Sequence, residues 1–357
     1  MAVPPNDVAH QVENGLCEEL RELALGLGAV AFGVGSAEPF NETRVELERR
    51  KELGLHGEMS FTYRNPIRST TPTQLLPSAQ SLVVLAWPYA AEFGEPPDDI
   101  TAGRVARYAT QDHYGKLRHA LDVLAEKLQQ RGWTTRIFLD GNAMVDRAAA
   151  QRAGIGWVGH NSNVLVPQYG SWVVLGGIAT DAPLPWSQPV ENNCGTCRRC
   201  FDGCPTDAII SEGVIDARRC LAWLVQAPGT FPVEFRAALH DRMYGCDDCQ
   251  EVCPPSRRSP QWTQSPSGES ADNSYVDVVA LLQKNDEELL AEYGRWYIAE
   301  RNPDYLRRNA LLVIGNVGDF ADAELGELLD SFCESENELL AEHAQWARGR
   351  WQQRMNE

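Results

Sequence analysis

The stretch C-G-T-C-R-R-C-F-D-G-C-P places Cys194, Cys197, Cys200 and Cys204 within eleven residues, with Pro205 behind them. Cys246, Cys249 and Cys253 repeat the ending as C-x2-C-x3-C-P, and Cys220 stands between the two runs. Cysteines this dense are metal ligands rather than packing residues. A C-x2-C-x2-C loop wraps three corners of an Fe4S4 cube, and the cysteine that follows leaves on a helix, pointing away. Zinc also takes C-x2-C pairs. Three cysteines at x2-x2 spacing with a trailing C-P are the iron–sulfur pattern.

This is the spacing of bacterial two-cluster ferredoxins, in which the fourth cysteine of the tight run serves the other cluster. Cluster one then takes Cys194, Cys197, Cys200 and, from the far motif, Cys253. Cluster two takes Cys204, Cys246, Cys249 and Cys220, the one spare thiol of the region. Cys17 and Cys333 lie elsewhere and are expected to be ordinary thiols. The N-terminus M-A-V-P-P-N-D-V-A-H lacks a basic stretch and an apolar core of the kind export requires. A reducing, cytoplasmic setting is therefore expected, which argues against disulfides. Two cubes form an electron wire and leave open what receives the electrons.

The elements that must position this wire are legible from periodicity. Over 12–35 an amphipathic helix, V-E-N-G-L-C-E-E-L-R-E-L-A-L-G-L-G, runs into a strand A-V-A-F-G-V-G, and S-L-V-V-L-A-W-P-Y (81–89) reads as a buried strand. A leucine-periodic helix covers 114–131 and ends at Gly132. T-T-R-I-F-L-D (134–140) is a strand, 144–153 a helix ended by Gly154, and 171–180 another strand. Strands alternating with helices predict an α/β domain over 1–185. The ferredoxin-like two-cluster domain follows over 186–258. A Pro/Ser-rich linker spans 259–274, and 275–357 reads as an α-helical, repeat-like C-terminal domain. Within it, 309–319 predicts a helix and a turn, with a second helix from Ala321. No apolar run is long enough to span a membrane.

Asp140 ends a strand, where ligands bind in open α/β sheets. By position alone, Asp140 or Asn142 would cap the next helix. Asp146, beside Arg147 and Arg152, reads as one half of a solvated ion pair at helical spacing. G-I-G-W-V-G-H-N (154–161) carries three glycines but follows a helix, unlike a dinucleotide fingerprint. His160 within it reads as a hydrogen-bonded loop histidine.

Taken together, F-L-D-G-N-A-M-V-D-R-A, G-I-G-W-V-G-H-N, the eight-cysteine region and Y-L-R-R-N-A-L-L-V-I-G-N resemble epoxyqueuosine reductases, in that order and over nearly the whole chain. The resemblance implies reductive removal of the epoxide oxygen of epoxyqueuosine in tRNA, the last step of queuosine synthesis. It also implies cobalamin in the α/β domain, reduced through the two Fe4S4 clusters. Matching positions make Asp140 the proton donor and place Asp140, Val164, Leu175, Cys246 and Asp247 along the cobalamin. The family often has lysine where this chain has His160. There is no D-x-H-x-x-G segment to supply a lower cobalt ligand, so none is expected from the protein.

The formal charge is −18, from 50 acidic and 32 basic residues. That opposes non-specific binding to polyanions, so a tRNA anticodon loop needs a local basic patch. Of the pairs Arg198-Arg199, Arg218-Arg219, Arg257-Arg258 and Arg307-Arg308, the last is the expected phosphate contact. The other expected partner is an unidentified electron donor, and the protein is expected to be a monomer. Two other readings share parts of this plan: a reductive dehalogenase-like enzyme, and an electron-transfer subunit without chemistry of its own. A helical-repeat adaptor with structural clusters is a third.

Overall fold

The computed structural model describes residues 5–90, 94–259, 273–319 and 321–355; side chains are described from residue 15 onward. Most of the 259–274 linker lies outside the described residues.

Eleven strands are present among the described residues: β1 Ala31–Ser36, β2 Ser81–Pro88, β3 Ala102–Val105, β4 Thr135–Leu139, β5 Trp157–Val158, β6 Val164–Leu165, β7 Val173–Thr180, β8 Ile209–Ser211, β9 Val214–Ile215, β10 Arg242–Tyr244 and β11 Tyr275–Asp277. The main sheet has the order β1-β2-β7-β4. Every pairing in it is antiparallel, which the alternation of helices and strands did not indicate. Its register sets Pro88 against Val173 and Leu139 against Gly176. The C-terminal ends of β2 and β4 therefore share one edge with the start of β7. Tyr89 and Asp140 emerge there.

β2 is buried along most of its length because helices cover both faces of the sheet. On one face the His113–Gln130 helix, capped by the Asp112 side chain on Gly115 N–H, buries Leu117, Leu121, Leu124 and Leu128 completely. Each such side chain contributes about 2 kcal/mol of transfer free energy. The Pro5–Leu27 helix adds Leu16, Leu20 and Ala24 to the same core. On the other face lies the Asp146–Arg152 helix, with Ala149, Ala150 and Ala153 against Phe138 and Val84. Gly33 is required under it, since a Cβ would strike the carbonyl oxygen of Ala153. This close approach fixes the helix that begins at Asp146. Its N-cap is Val145, without a side-chain cap, so neither Asp140 nor Asn142 caps it.

A small second sheet, β10-β3-β11, joins distant stretches: β3 pairs parallel with β10 and antiparallel with β11. Val105, Met243, Tyr244 and Val276 from these strands share a core with Leu311, Val313, Ile314, Ala344 and Trp351. Those last residues belong to the Asp304–Val317 and Glu338–Arg354 helices, with Ala323–Cys333 packed alongside. The Asp286–Tyr293 helix starts in a capping box between Asn285 and Glu288.

The cysteine region has little regular structure. Cys220 precedes the Leu221–Leu224 turn of helix and Cys253 precedes Pro254–Arg257, each in extended backbone at the N-cap. No described helix is long and apolar enough to cross a membrane.

Candidate active site

A cavity of about 790 Å³ opens at the edge where β2 and β4 end and β7 begins. This lies high in the range of small-molecule and cofactor sites. Asp140, Tyr89, Tyr114, Val173, Val174 and Leu175 form its sheet-edge wall, Arg50, His56 and Tyr63 another. Val158, Val164, Met144 and Trp223 make much of the lining apolar. Cys204, Cys220, Cys246 and Cys249 form the wall contributed by the cysteine region.

The thiols fall into two groups. Cys200 and Cys253 lie within electrostatic reach of each other and of Cys194 and Cys197. Cys249 is within reach of Cys246, Cys220 and Cys204, and also of Cys200, which places the groups side by side. Burial raises the thiols of Cys200 (to about 11), Cys220, Cys246 and Cys249. Mutual repulsion of the thiolates adds to this for each of them. Thiols held together without a cation favour the neutral form; iron would supply the charge that lets them ionise.

Backbone N–H groups already point at the sulfurs. Ala208 N–H donates to Cys204 Sγ at 3.2 Å, Ala222 and Trp223 to Cys220, and Asp248 to Cys246. Such bonds stabilise thiolate and tune a cluster's potential. Among the described residues, no three Cys, His, Asp or Glu side chains converge closely enough to hold a single metal ion.

Val164, Leu175, Cys246 and Asp140 line the cavity, and Asp247 does not. Its carboxylate is turned away and buried, accepting from Arg107 N–H at 2.9 Å and from Arg107 Nη1 at 3.1 Å. His160 lies on the other side of the cysteine region, its Nδ1 3.0 Å from Cys197 O and its ring edge-on to Phe201.

The Arg307-Arg308 expectation fails. Arg308 is completely buried and donates to the carbonyls of Leu224, Val225, Ala227 and Gly229 and to Asn309 Oδ1. Arg307, 11% exposed, is paired with Asp286 and Asp304. Neither guanidinium is presented to a phosphate.

Asp140 adopts a left-handed conformation, φ +42°, which aims its side chain into the cavity mouth. The carboxyl is reachable from the cavity, yet protein surrounds most of it, and this partial burial raises its pKa. Asp146 does not form the expected ion pair. Arg147 donates to Ser162 O at 2.8 Å, and Arg152 lies over the Phe40 ring, donating to carbonyls of the 36–39 turn. Tyr108, Tyr114, Asp146 and Arg147 all line the cavity although periodicity marked none of them as functional. The available signal was the pair of acids in D-G-N-A-M-V-D-R, spaced so that the loop and the helix start meet.

The 4Fe-4S double cluster binding domain family matches residues 193–256, and the epoxyqueuosine reductase QueG family (DUF1730) matches residues 70–146. The epoxyqueuosine reductase of Vibrio cholerae is 34% identical over 347 residues, covering 93% of this chain and 91% of that one. That of Escherichia coli K12 is 32% identical over 355 residues, covering 96% and 91%. Among solved structures, epoxyqueuosine reductase with a tRNA-Tyr epoxyqueuosine-modified stem loop aligns with TM-score 0.83 and 29% identity, over 96% of this chain and 90% of that one. The Bacillus subtilis enzyme, with its catalytic aspartate loop swung out of the active site, aligns with TM-score 0.85 and 29% identity, over 96% and 91%. The chain belongs to the epoxyqueuosine reductase family.

Proposed function

We propose that this oxidoreductase removes the epoxide oxygen of epoxyqueuosine in tRNA, leaving the cyclopentene of queuosine, with cobalamin in the cavity and two Fe4S4 clusters behind its wall. One observation carries the reading: Cys204, Cys220, Cys246 and Cys249 form a wall of the same cavity that Asp140 lines. On this reading an electron source and an acid share one cavity.

The residues present suit a large ring system. Val164, Leu175, Val173 and Met144 offer apolar surface, while phenols and carboxyls stand at the sheet edge. Val164, Leu175 and the Cys246 backbone are the positions assigned to hold the cobalamin, with Asp247 acting from behind by locking its loop onto Arg107. When bound, cobalamin supplies a strongly reducing metal centre for the difficult electron delivery. Cys194, Cys197, Cys200 and Cys253 are assigned to cluster one, and Cys204, Cys220, Cys246 and Cys249 to cluster two. Cys194 and Cys197 sit in a largely exposed loop, so these ligands would hold cluster one within reach of a donor. Cys204, Cys220, Cys246 and Cys249 would hold cluster two at the cavity, where it would supply electrons.

Asp140 meets the proton demand. Opening the epoxide leaves an alkoxide, and a carboxyl whose pKa is raised by its surroundings suits the delivery of a proton to it. Its loop position suits a group that must admit a nucleoside before acting. The loop of the Bacillus subtilis enzyme, captured swung out, supports a moving acid. The substrate's polyanionic flank meets Arg50 and Arg147 at the cavity. Arg50 also holds Glu46 at 2.7 Å and Arg147 donates to Ser162 O at 2.8 Å, so both guanidiniums are fixed at the cavity wall. On this reading the protein works as a cytoplasmic monomer.

The test is anaerobic reconstitution with iron, sulfide and cobalamin, then incubation with epoxyqueuosine-bearing tRNA and a strong reductant. Digestion and mass spectrometry of the nucleosides should show loss of one oxygen, dependent on cobalamin. Bound, reducible cobalamin without that loss would overturn the assignment of substrate.

A further inference from the structure

Replacing an epoxide by an alkene expels its oxygen as water. Each turnover therefore consumes two electrons and two protons. On the reading above, which this inference rests on, a low-potential one-electron donor supplies the electrons through the clusters and Asp140 holds one proton. A single carboxylic acid carries a single proton, so a second must come from elsewhere.

The structure puts another acid beside the first. Asp146 opens its helix six residues after Asp140 and lines the same cavity. Its Oδ1 is shut off from solvent and has no hydrogen-bond partner among the described residues. The main-chain N–H of Asp140 donates to the same carboxyl, which ties the two groups together. The neighbouring cation does not neutralise it by contact, because Arg147 donates to Ser162 instead.

The charged and titratable groups around Asp146 are Asp140 on the loop, Tyr114 from the His113–Gln130 helix, and Arg147. Arg50 and Tyr63 lie beyond that guanidinium. Burial first, and the Asp140 charge second, raise the Asp146 carboxyl to about 8, against a lowering by Arg147. The Asp140 charge acts on the Asp146 carboxyl, so the two titrate as a coupled pair.

We propose that Asp146 stores the second proton of the reaction and hands it to Asp140 after the first has been used. The first C–O bond of the epoxide breaks as the Asp140 proton goes to its oxygen and the donor's two electrons go to the carbon, leaving a hydroxyl on the ring and a carboxylate at Asp140. The Asp146 proton moves to that carboxylate. The second C–O bond breaks as Asp140 protonates the hydroxyl, which leaves as water while the alkene forms. Two electrons have entered from the donor, and solvent restores both protons once product has gone. Asp146 acts through Asp140 and need not touch the substrate.

The experiment compares wild type, D146N and D146E as reconstituted enzyme, with turnover of epoxyqueuosine-bearing tRNA followed from pH 6 to 9. Asparagine keeps an oxygen for Asp140 N–H but carries no acidic proton. D146N should lose about 10-fold or more in rate at pH 8, within the usual scale of general-acid effects. Its alkaline limb should move to lower pH, because Asp140 loses a like-charged neighbour. Added imidazole or small carboxylic acids should restore part of the rate. In protein free of substrate, the infrared C=O stretch of a protonated carboxyl should be present at pH 7 in wild type and D146E and weakened in D146N. A D146N enzyme with the wild-type pH profile and no buffer rescue, its clusters and cobalamin bound, overturns the proposal while leaving the epoxide reaction standing. So does a D146E enzyme that keeps the infrared band but shows the D146N profile. Wild type that fails to convert the tRNA overturns the functional reading itself.

Discussion

Replacing Arg308 by methionine separates two roles that the R-R pair can play. In the structure its guanidinium fills a pocket of main-chain carbonyls: Ala227 at 2.9 Å, Leu224 at 3.1 Å, and Gly229, with Val225 at 3.3 Å. Val225 O keeps a second donor in Asn309 Nδ2, so the substitution strands chiefly the other three. A buried carbonyl left without its donor costs about 1–2 kcal/mol. Three of them give about 3–6 kcal/mol, reduced somewhat because a buried cation no longer has to be accommodated. Methionine retains part of the packing against Tyr305 and Phe231. The net loss should be about 3 kcal/mol or more, a large share of a typical domain's stability. The stranded segment follows the Leu221–Leu224 turn that starts at Cys220, so cluster two should become labile as well. The assay is thermal unfolding of the reconstituted protein beside a salt titration of tRNA affinity. R308M should melt several degrees lower, with an unchanged slope of log affinity against log salt. A variant that melts like wild type while its slope falls by about one unit, the signature of one lost phosphate contact, would refute the reasoning.

Three further outcomes are expected. D140N, with clusters and cobalamin intact, should lower turnover by about 10²–10⁴-fold, the range for loss of a general acid; full turnover would remove Asp140 from the chemistry. C220S should cost the protein about half of its iron and sulfide, whereas C17S and C333S should leave both contents unchanged, measured by iron and sulfide analysis after anaerobic reconstitution. His343 is buried and neutral, its Nε2 accepting from Phe231 N–H at 3.1 Å and its Nδ1 2.6 Å from Leu339 O. Burial pulls its pKa from the ordinary 6.5 to about 4. With the folded value depressed, its contribution is complete above pH 6.5 and is lost as pH falls toward 4. The span corresponds to roughly 3 kcal/mol. H343Q should flatten the acid side of a melting-temperature profile between those limits, and a profile unchanged in shape would refute this.

The cysteine spacing carried most of what could be read in advance, because three of the thiols sit in one seven-residue loop and the double-cluster family matches that region. Helix and strand positions in the first 185 residues were also legible, as period and burial coincide within each element. What the spacing did not reveal is long-range. The antiparallel order of the main sheet depends on how connections cross, which periodicity does not encode. The Arg307-Arg308 reading failed because a sequence shows a charge and not its surroundings; Arg308 serves carbonyls about 80 residues earlier in the chain. Asp146 was assigned to a helical ion pair for a similar reason. Its supposed partners, Arg147 and Arg152, turn to a loop carbonyl and to the 36–39 turn.

The cavity has walls from separate stretches of chain, and buried charge joins them. Arg107 reaches Asp247 and Glu251, Arg104 lies near Asp241 and Asp248, and Arg242 holds Asp248 at 2.6 Å. These acids lie in and around the C-x2-C loop of the second motif, while Arg104 and Arg107 belong to β3 and the turn after it. An apolar interface of equal area would bind as well, since buried ion pairs add little net stability. It would also tolerate sliding. Paired charges and the β3–β10 pairing tie the stretch that leads to Cys246 to one place on the wall. Electron transfer and proton transfer both fail with small displacements, so a wall fixed in place is worth more to this site than a tighter one.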